Sequence, residues 1–257
     1  PNHNDNDYVK VRLDPRTQEA AQKYLSKIHD PFVRMMFWQS LWDMVRDIQI
    51  PVQQYADLTF QHLPFETDIK TALRAAGRLR AMLPYFPQDG KGTRHIKERY
   101  IKKVEDFLWK ALHSAEPKSD FQKLWFDTFV SIARTPEGLQ KLSQLLSGKI
   151  RIQGLLIDQD RRWKIIVQLN HFQHQEAEKY VQMELKKDSS ESGQKFAIAS
   201  EVIRPDSSLK RKWFQMIVNE KSELSLSRLK AAMAHLFPED QEDFRWTFSD
   251  DFFKELL

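Results

Sequence analysis

Apolar residues recur through this chain at helical spacing, block after block, and this limits the folds open to it more than any other feature. Between polar breaks they fall at i, i+3, i+4, i+7 and i+8, the stripe that one helix face needs in order to pack on a neighbour. Phe37, Leu41, Met44, Val45 and Ile48 make one stripe, widened by Met35, Trp38 and Trp42. Ile96, Tyr100, Val104, Phe107, Leu108, Ala111 and Leu112 make a second, and Phe121, Leu124, Trp125, Thr128, Phe129 and Ile132 a third. Start signals accompany them. Asp30-Pro31 and Thr135-Pro136 each join a capping side chain to a proline at the first helical position, where no N–H is missed. Ser119 and Gln122 have capping-box spacing. Asp158 and Asp206 stand before periodic runs, Thr67 before a run that reaches Leu83, and Pro51 before Val52, Tyr55, Phe60 and Leu63. A first helix is expected over Thr17–Ile28, and the last two over Ser225–Leu236 and from Ser249 onward. The total is about thirteen helices.

Composition agrees with an all-α fold. Gly is 7 of 257 residues, too few for the many turns of a β-sandwich or barrel and a poor supply for a phosphate-binding loop. The 7 Trp and 17 Phe provide material for a core, which excludes wholesale disorder. No apolar run is long enough to span a bilayer, and no signal peptide is expected. With no Cys, disulfides, thiolate nucleophiles and Cys-bound metals are excluded, in accord with a cytoplasmic setting. The net charge of +4 is small for this length despite a pI near 9.1. Basic residues are densest at Lys97–Lys103 and Lys210–Lys212 and are elsewhere mixed with acids. A phosphate-tracking face needs more one-sided clustering, so no nucleic-acid partner is expected, and no membrane partner either.

The first residues differ. Tyr8–Leu13 alternates, with Val9, Val11 and Leu13 on one side, a strand pattern that Asp14-Pro15 ends. The expected organisation is therefore residues 1–14 as the close of a preceding β-domain and 15–257 as a helical domain. The latter is expected to be a HEAT- or armadillo-like superhelical stack of antiparallel helix pairs. The Pro- and Gly-rich stretch 84–92 is its candidate sub-boundary or hinge.

Reactive motifs are scarce. G-x-x-x-x-G-K-[ST], G-x-G-x-x-G, G-x-S-x-G and H-E-x-x-H do not occur. His171-Phe172-Gln173-His174, followed by Glu176 and Glu178, is the nearest metal-like group, but it lies at a helix junction where His and Gln are ordinary loop residues. Asp158-Gln159-Asp160-Arg161-Arg162-Trp163 holds two carboxylates. It reads as a helix cap with an internal Asp–Arg pair that locks the Gly154 loop. No catalytic, cofactor-binding or metal-binding residue is assigned.

The same residues carry a resemblance. Gly154-Leu155-Leu156-Ile157-Asp158-Gln159-Asp160-Arg161-Arg162-Trp163 is similar to the G-L-x-x-D-x-D-x-R-W segment in the C-terminal helical domain of zinc aminopeptidases of the aminopeptidase N type. Thr135-Pro136-Glu137-Gly138-Leu139, followed by Leu145-Leu146-Ser147-Gly148, resembles that family's T-P-E-G-L and L-L-x-G run. Trp38 and Ser40–Asp47 resemble its W-x-x-L-W-D-M-V-R-D helix. Arg204-Pro205, Lys210, Trp213, Phe237-Pro238 and Gln241 match later parts, and Pro1–Asp14 resembles the strand that closes the preceding β-sandwich. The likeness runs the length of the chain and is nearest the bacterial branch that shares its C-terminal domain with the endoplasmic-reticulum aminopeptidases. It implies a piece of a longer enzyme, cut at both ends, whose zinc and catalytic motifs lie upstream. The implied role is a non-catalytic helical bowl that closes a peptide chamber and contacts the peptide tail. Its implied partners are the catalytic domain of the same chain and peptide substrates. The fragment itself is expected to hold no cofactor and to be inactive alone. The competing expectation is a free-standing helical scaffold that grips a partner protein.

Overall fold

The computed structural model describes residues 10–86, 94–219 and 221–254, and among these it contains thirteen α-helices, three short 3-10 turns and no strand. The chain divides into two compact units after Ile132. The first carries α1 (Pro15–Tyr24), α2 (Pro31–Arg46), α3 (Val52–His62), α4 (Ile69–Ala81), α5 (Arg94–Ser114) and α6 (Asp120–Ile132). The second carries α7 (Pro136–Leu146), α8 (Gln159–His171), α9 (Ala177–Leu185), α10 (Glu191–Val202), α11 (Ser207–Val218), α12 (Leu226–Leu236) and α13 (Glu242–Lys254).

Most helices begin where short-range chemistry dictates. Asp30, Thr135, Asp158 and Asp206 each accept a hydrogen bond from a first-turn N–H of the helix they precede. Asp14-Pro15 uses the Asp30-Pro31 device again and starts α1 two residues before the expected Thr17. The capping box forms with one arm displaced. Gln122 N–H donates to Ser119 Oγ at 3.1 Å, while Gln122 Oε1 accepts from Lys118 N–H at 2.9 Å. At the end of α7, Gly148 takes φ +75° as the left-handed stop, and its N–H donates to the Leu145 carbonyl.

Three expectations are corrected. α4 is capped by Asp68, whose Oδ1 accepts from Thr71 N–H at 2.7 Å, whereas the Thr67 hydroxyl is engaged by Arg34 at 3.3 Å. Ile48 is not part of the α2 stripe. The helix ends at Arg46, Ile48 turns out at φ +58° with 91% exposure, and Ile50 fills the inward position. α13 starts at Glu242 instead of Ser249, because its buried residue Phe248 stands among polar neighbours and gives no periodic stripe. Of the expected strand, Tyr8 and Val9 lie outside the described residues. Lys10–Leu13 takes part in no ladder among the described residues, and the strands expected to flank it belong to the preceding β-domain. Of the stretch 84–92, Pro84 and Tyr85 belong to a 3-10 turn and 87–92 lie outside the described residues.

In the first unit α2 packs on α3 and α4, α4 on α6, and α5 on both α3 and α6. Trp38 and Trp42 meet Tyr55 with ring centroids 6.1 and 5.4 Å apart, joining α2 to α3. Burying each such side chain contributes about 1.5–3 kcal/mol. In the second unit α8 packs on α7, α9 and α10, and α10 in turn on α11 and α12. Trp163, Ile165 and Ile166 fill one part of that core, and Val202, Phe214 and Phe248 another.

The first unit also holds a buried ion pair. Arg34 Nε donates to both Glu66 oxygens at 3.1 and 3.0 Å, and its Nη1 donates to the carbonyls of Ile28 and His29 at 2.7 and 3.0 Å. Glu66 Oε1 also accepts from the N–H groups of Thr67 and Asp68. The side chains are 7% and 2% exposed, so removing one partner strands the other charge in the interior. Glu66→Ala is expected to cost about 3–5 kcal/mol in urea unfolding. A loss below about 1 kcal/mol, the scale of a solvent-exposed pair, would contradict this.

Candidate functional site

The Asp158–Trp163 segment folds as a junction in which every polar side chain but that of Asp160 is committed to a neighbour. Asp158 caps α8 and pairs with Arg161 at 3.1 Å. Arg161 also donates to the Leu156 carbonyl, which ties the Gly154 loop to the helix. Arg162 reaches away from α8. Its Nε and Nη2 donate to Glu184 at 2.7 and 2.6 Å, and its Nη1 donates to the Leu146 carbonyl at the end of α7. Gln159 donates to the same Glu184 at 3.0 Å. Burial pushes the Glu184 carboxyl up, but the hydrogen bonds from Arg162 and Gln159 outweigh it and hold the group below the usual carboxylate range.

Trp163 completes the junction. Its ring stacks on Phe196 at 6.0 Å, and its Nε1–H donates to Asp188 Oδ2 at 2.8 Å. Hydrogen bonds from the Ser190 and Trp163 side chains keep Asp188 below its ordinary pKa. Gly193 makes the approach possible, because a Cβ there would stand 2.4 Å from the Asp188 carbonyl oxygen. The segment therefore binds α7, α8, α9 and the start of α10 into one piece. Asp160, the second carboxylate, is exposed in the first turn of α8, where it complements the positive helix end.

His62, His171 and His174 are likewise engaged. His171 Nε2 lies 2.9 Å from Asp240 Oδ1, and its ring stacks on Phe172. Arg134 approaches the other Asp240 oxygen at 3.9 Å. Burial raises the Asp240 carboxyl, and the hydrogen bond and charge of His171 together with the charge of Arg134 bring it below its ordinary value. His174 Nδ1 accepts from Glu176 N–H, and burial lowers its pKa. His62 uses both ring nitrogens, on Ser26 Oγ and the Gln22 carbonyl. Among the described residues no three His, Asp or Glu side chains converge as a metal site, so the donor set does not fit a zinc ion.

A second polar knot joins α10, α11 and α12. Lys210 is fully buried, and its ammonium donates to the carbonyls of Val202 and Leu236 at 2.8 and 2.5 Å, the last turns of α10 and α12. Burial draws its pKa down to about 8, against a favourable field from Asp240. Gln241 Nε2 donates to the Ile203 carbonyl at 2.8 Å. Each unit also has a cleft. One of about 490 Å³ in the second unit is lined by α9, α10 and α11, with an Arg204–Glu178 pair at 2.5 Å on its wall. One of about 560 Å³ lies in the first unit beside α3, α5 and α6.

Sequence reading identified the Asp158 cap and the Arg161 lock. It missed Glu184, Asp188 and Asp240 as partners, because each stands 22 to 69 positions from the group it binds. Gly193, a glycine in a first helical turn, was the one local hint of a close contact.

The family model for the ERAP1-like C-terminal domain matches residues 1–257. The chain is also similar to an aminopeptidase N of Streptomyces lividans, with 26% identity over 258 residues. That alignment covers 99% of this chain and 29% of the relative, so the chain spans less than a third of the relative's length.

Arg162→Ala removes the main partner of Glu184 and is expected to cost about 1–3 kcal/mol in urea unfolding at pH 7. The pH dependence has a definite sign. Because the folded-state pKa of Glu184 is depressed, its contribution is complete above the unfolded value near 4.3 and is lost as pH falls through the folded one. Glu184→Gln should therefore flatten the fall of stability below about pH 4. An unchanged acid limb in the variant would contradict the assignment.

Proposed function

This chain belongs to the family of ERAP1-like C-terminal domains, and from that premise we propose that it is the non-catalytic helical domain of a zinc-dependent aminopeptidase that removes N-terminal residues from peptides. The observation that carries this reading is the match along all 257 residues, together with similarity to an aminopeptidase N over 99% of the chain. In this reading zinc and the hydrolytic groups belong to a catalytic domain elsewhere in the same polypeptide. The helical domain packs against it as a HEAT-like curved stack of helix pairs and closes a chamber that admits peptides and excludes folded proteins. Its inner face touches the peptide tail, where guanidinium groups suit a carboxylate. The enzyme acts in the cytoplasm, a setting that a Cys-free chain tolerates.

The chemistry of the junctions supports an architectural role. Asp158, Arg161, Arg162, Trp163 and Lys210 are all engaged in holding helices together. No helix among the described residues is long and apolar enough to cross a membrane.

The purified 257-residue chain is expected to fold, to bind no stoichiometric zinc by metal analysis, and to release no amine from chromogenic amino-acid amides. The longer polypeptide should bind zinc and release amine, and deleting this region from it should alter its dependence on peptide length. Chelator-sensitive hydrolysis by the clean 257-residue chain would overturn the proposal. Activity and length dependence unchanged by the deletion would favour an independent scaffold.

A further inference from the structure

The cleft of the first unit has no part in the reading above. Its volume of about 560 Å³ lies in the range of small-molecule sites. Its wall is a run of aromatic rings: Phe60 and Phe107 are 5.5 Å apart, Phe107 and Trp125 6.1 Å, and Trp125 and Phe121 6.2 Å. Phe65 stands at the edge with 69% of its surface exposed. An aromatic lining of this kind suits a flat or branched apolar group.

The charges on the cleft narrow the ligand further. Three charged residues line it: Glu66, Lys110 and Glu116. Glu66 is already neutralised by Arg34. Lys110 and Glu116 are exposed, and neither side chain has an ion-pair or hydrogen-bond partner among the described residues. They stand on either side of the end of α5, six positions apart. The cleft also lies where α5 ends and α6 begins, so it meets one negative and one positive helix end. A fatty-acid-like anion would satisfy Lys110 and meet repulsion at Glu116. An aromatic cation would do the reverse. A zwitterion satisfies both.

We infer that this cleft binds a free amino acid with a large apolar side chain, aromatic or branched. The side chain lies on the rings of Phe107 and Trp125, the α-carboxylate faces Lys110, and the α-ammonium faces Glu116. The inference does not depend on the activity of the parent enzyme, and its test involves no catalysis.

Equilibrium dialysis of the 257-residue chain against labelled L-phenylalanine tests it. Saturable one-to-one uptake is expected, with competition by L-leucine and none by glycine. Lys110→Met should weaken L-phenylalanine by about threefold or more and leave L-phenylalanine amide unchanged. Glu116→Gln should weaken L-phenylalanine similarly and leave N-acetyl-L-phenylalanine unchanged. Both residues are exposed, so the variants should keep the circular dichroism of the parent chain. Absence of saturable uptake up to about 10 mM would overturn the inference. So would uptake indifferent to both substitutions, or a preference for the acetylated or amidated compound over the free amino acid.

Discussion

Every helix ends in carbonyl groups that its own turns cannot satisfy, and a stack of many short helices buries many such ends. Here long polar side chains from neighbouring helices take them up. Arg34 covers the carbonyls of Ile28 and His29 after α1, and His62 covers that of Gln22 within it. Arg162 reaches the Leu146 carbonyl at the end of α7, and Lys210 reaches those of Val202 and Leu236. Gln168 donates to Ala133, and Gln241 to Ile203. Leaving one such buried carbonyl unpaired costs about 1–3 kcal/mol, a large share of a domain's net stability. The same bonds fix which helix end meets which neighbour, a matter on which non-directional apolar packing is permissive.

This accounts for the kind of residue that carries the family likeness. Asp158, Arg161, Arg162 and Trp163 form a joint between helices, and Lys210 and Gln241 form another. A buried ammonium or guanidinium is costly unless several acceptors surround it, so such a side chain is tied to one geometry. The Asp158–Trp163 segment looks reactive when read as text, with two carboxylates and two guanidinium groups in succession. Folded, its charges are directed at backbone, at each other and at Glu184, apart from Asp160, which faces solvent at a helix start.

The two clefts differ in the same terms. The cleft of the second unit has charged walls that are paired across it, as in Arg204 with Glu178. The cleft of the first unit has an apolar wall with its remaining charges unspent. Unspent charge beside exposed aromatic surface marks a place where a ligand improves the balance.

Short-range chemistry is what the sequence by itself determined. The helical class, the helix count and the caps at Asp30, Ser119, Thr135, Asp158 and Asp206 follow from contacts within about one turn, and these need no knowledge of the rest of the chain. The family was legible for a related reason: its marks at 154–163 and 135–148 are contiguous runs. Tertiary structure alone decided the pairing of Arg34 with Glu66, of Arg162 with Glu184 and of Lys210 with two helix ends, as well as the outward turn of Ile48 and the aromatic cleft. Each of the three pairings joins groups eight to 32 positions apart, and the turn at Ile48 depends on where a helix stops. Periodicity identifies the buried face of a helix but not the neighbour that buries it, because many neighbours satisfy the same apolar stripe while a directed hydrogen bond admits very few.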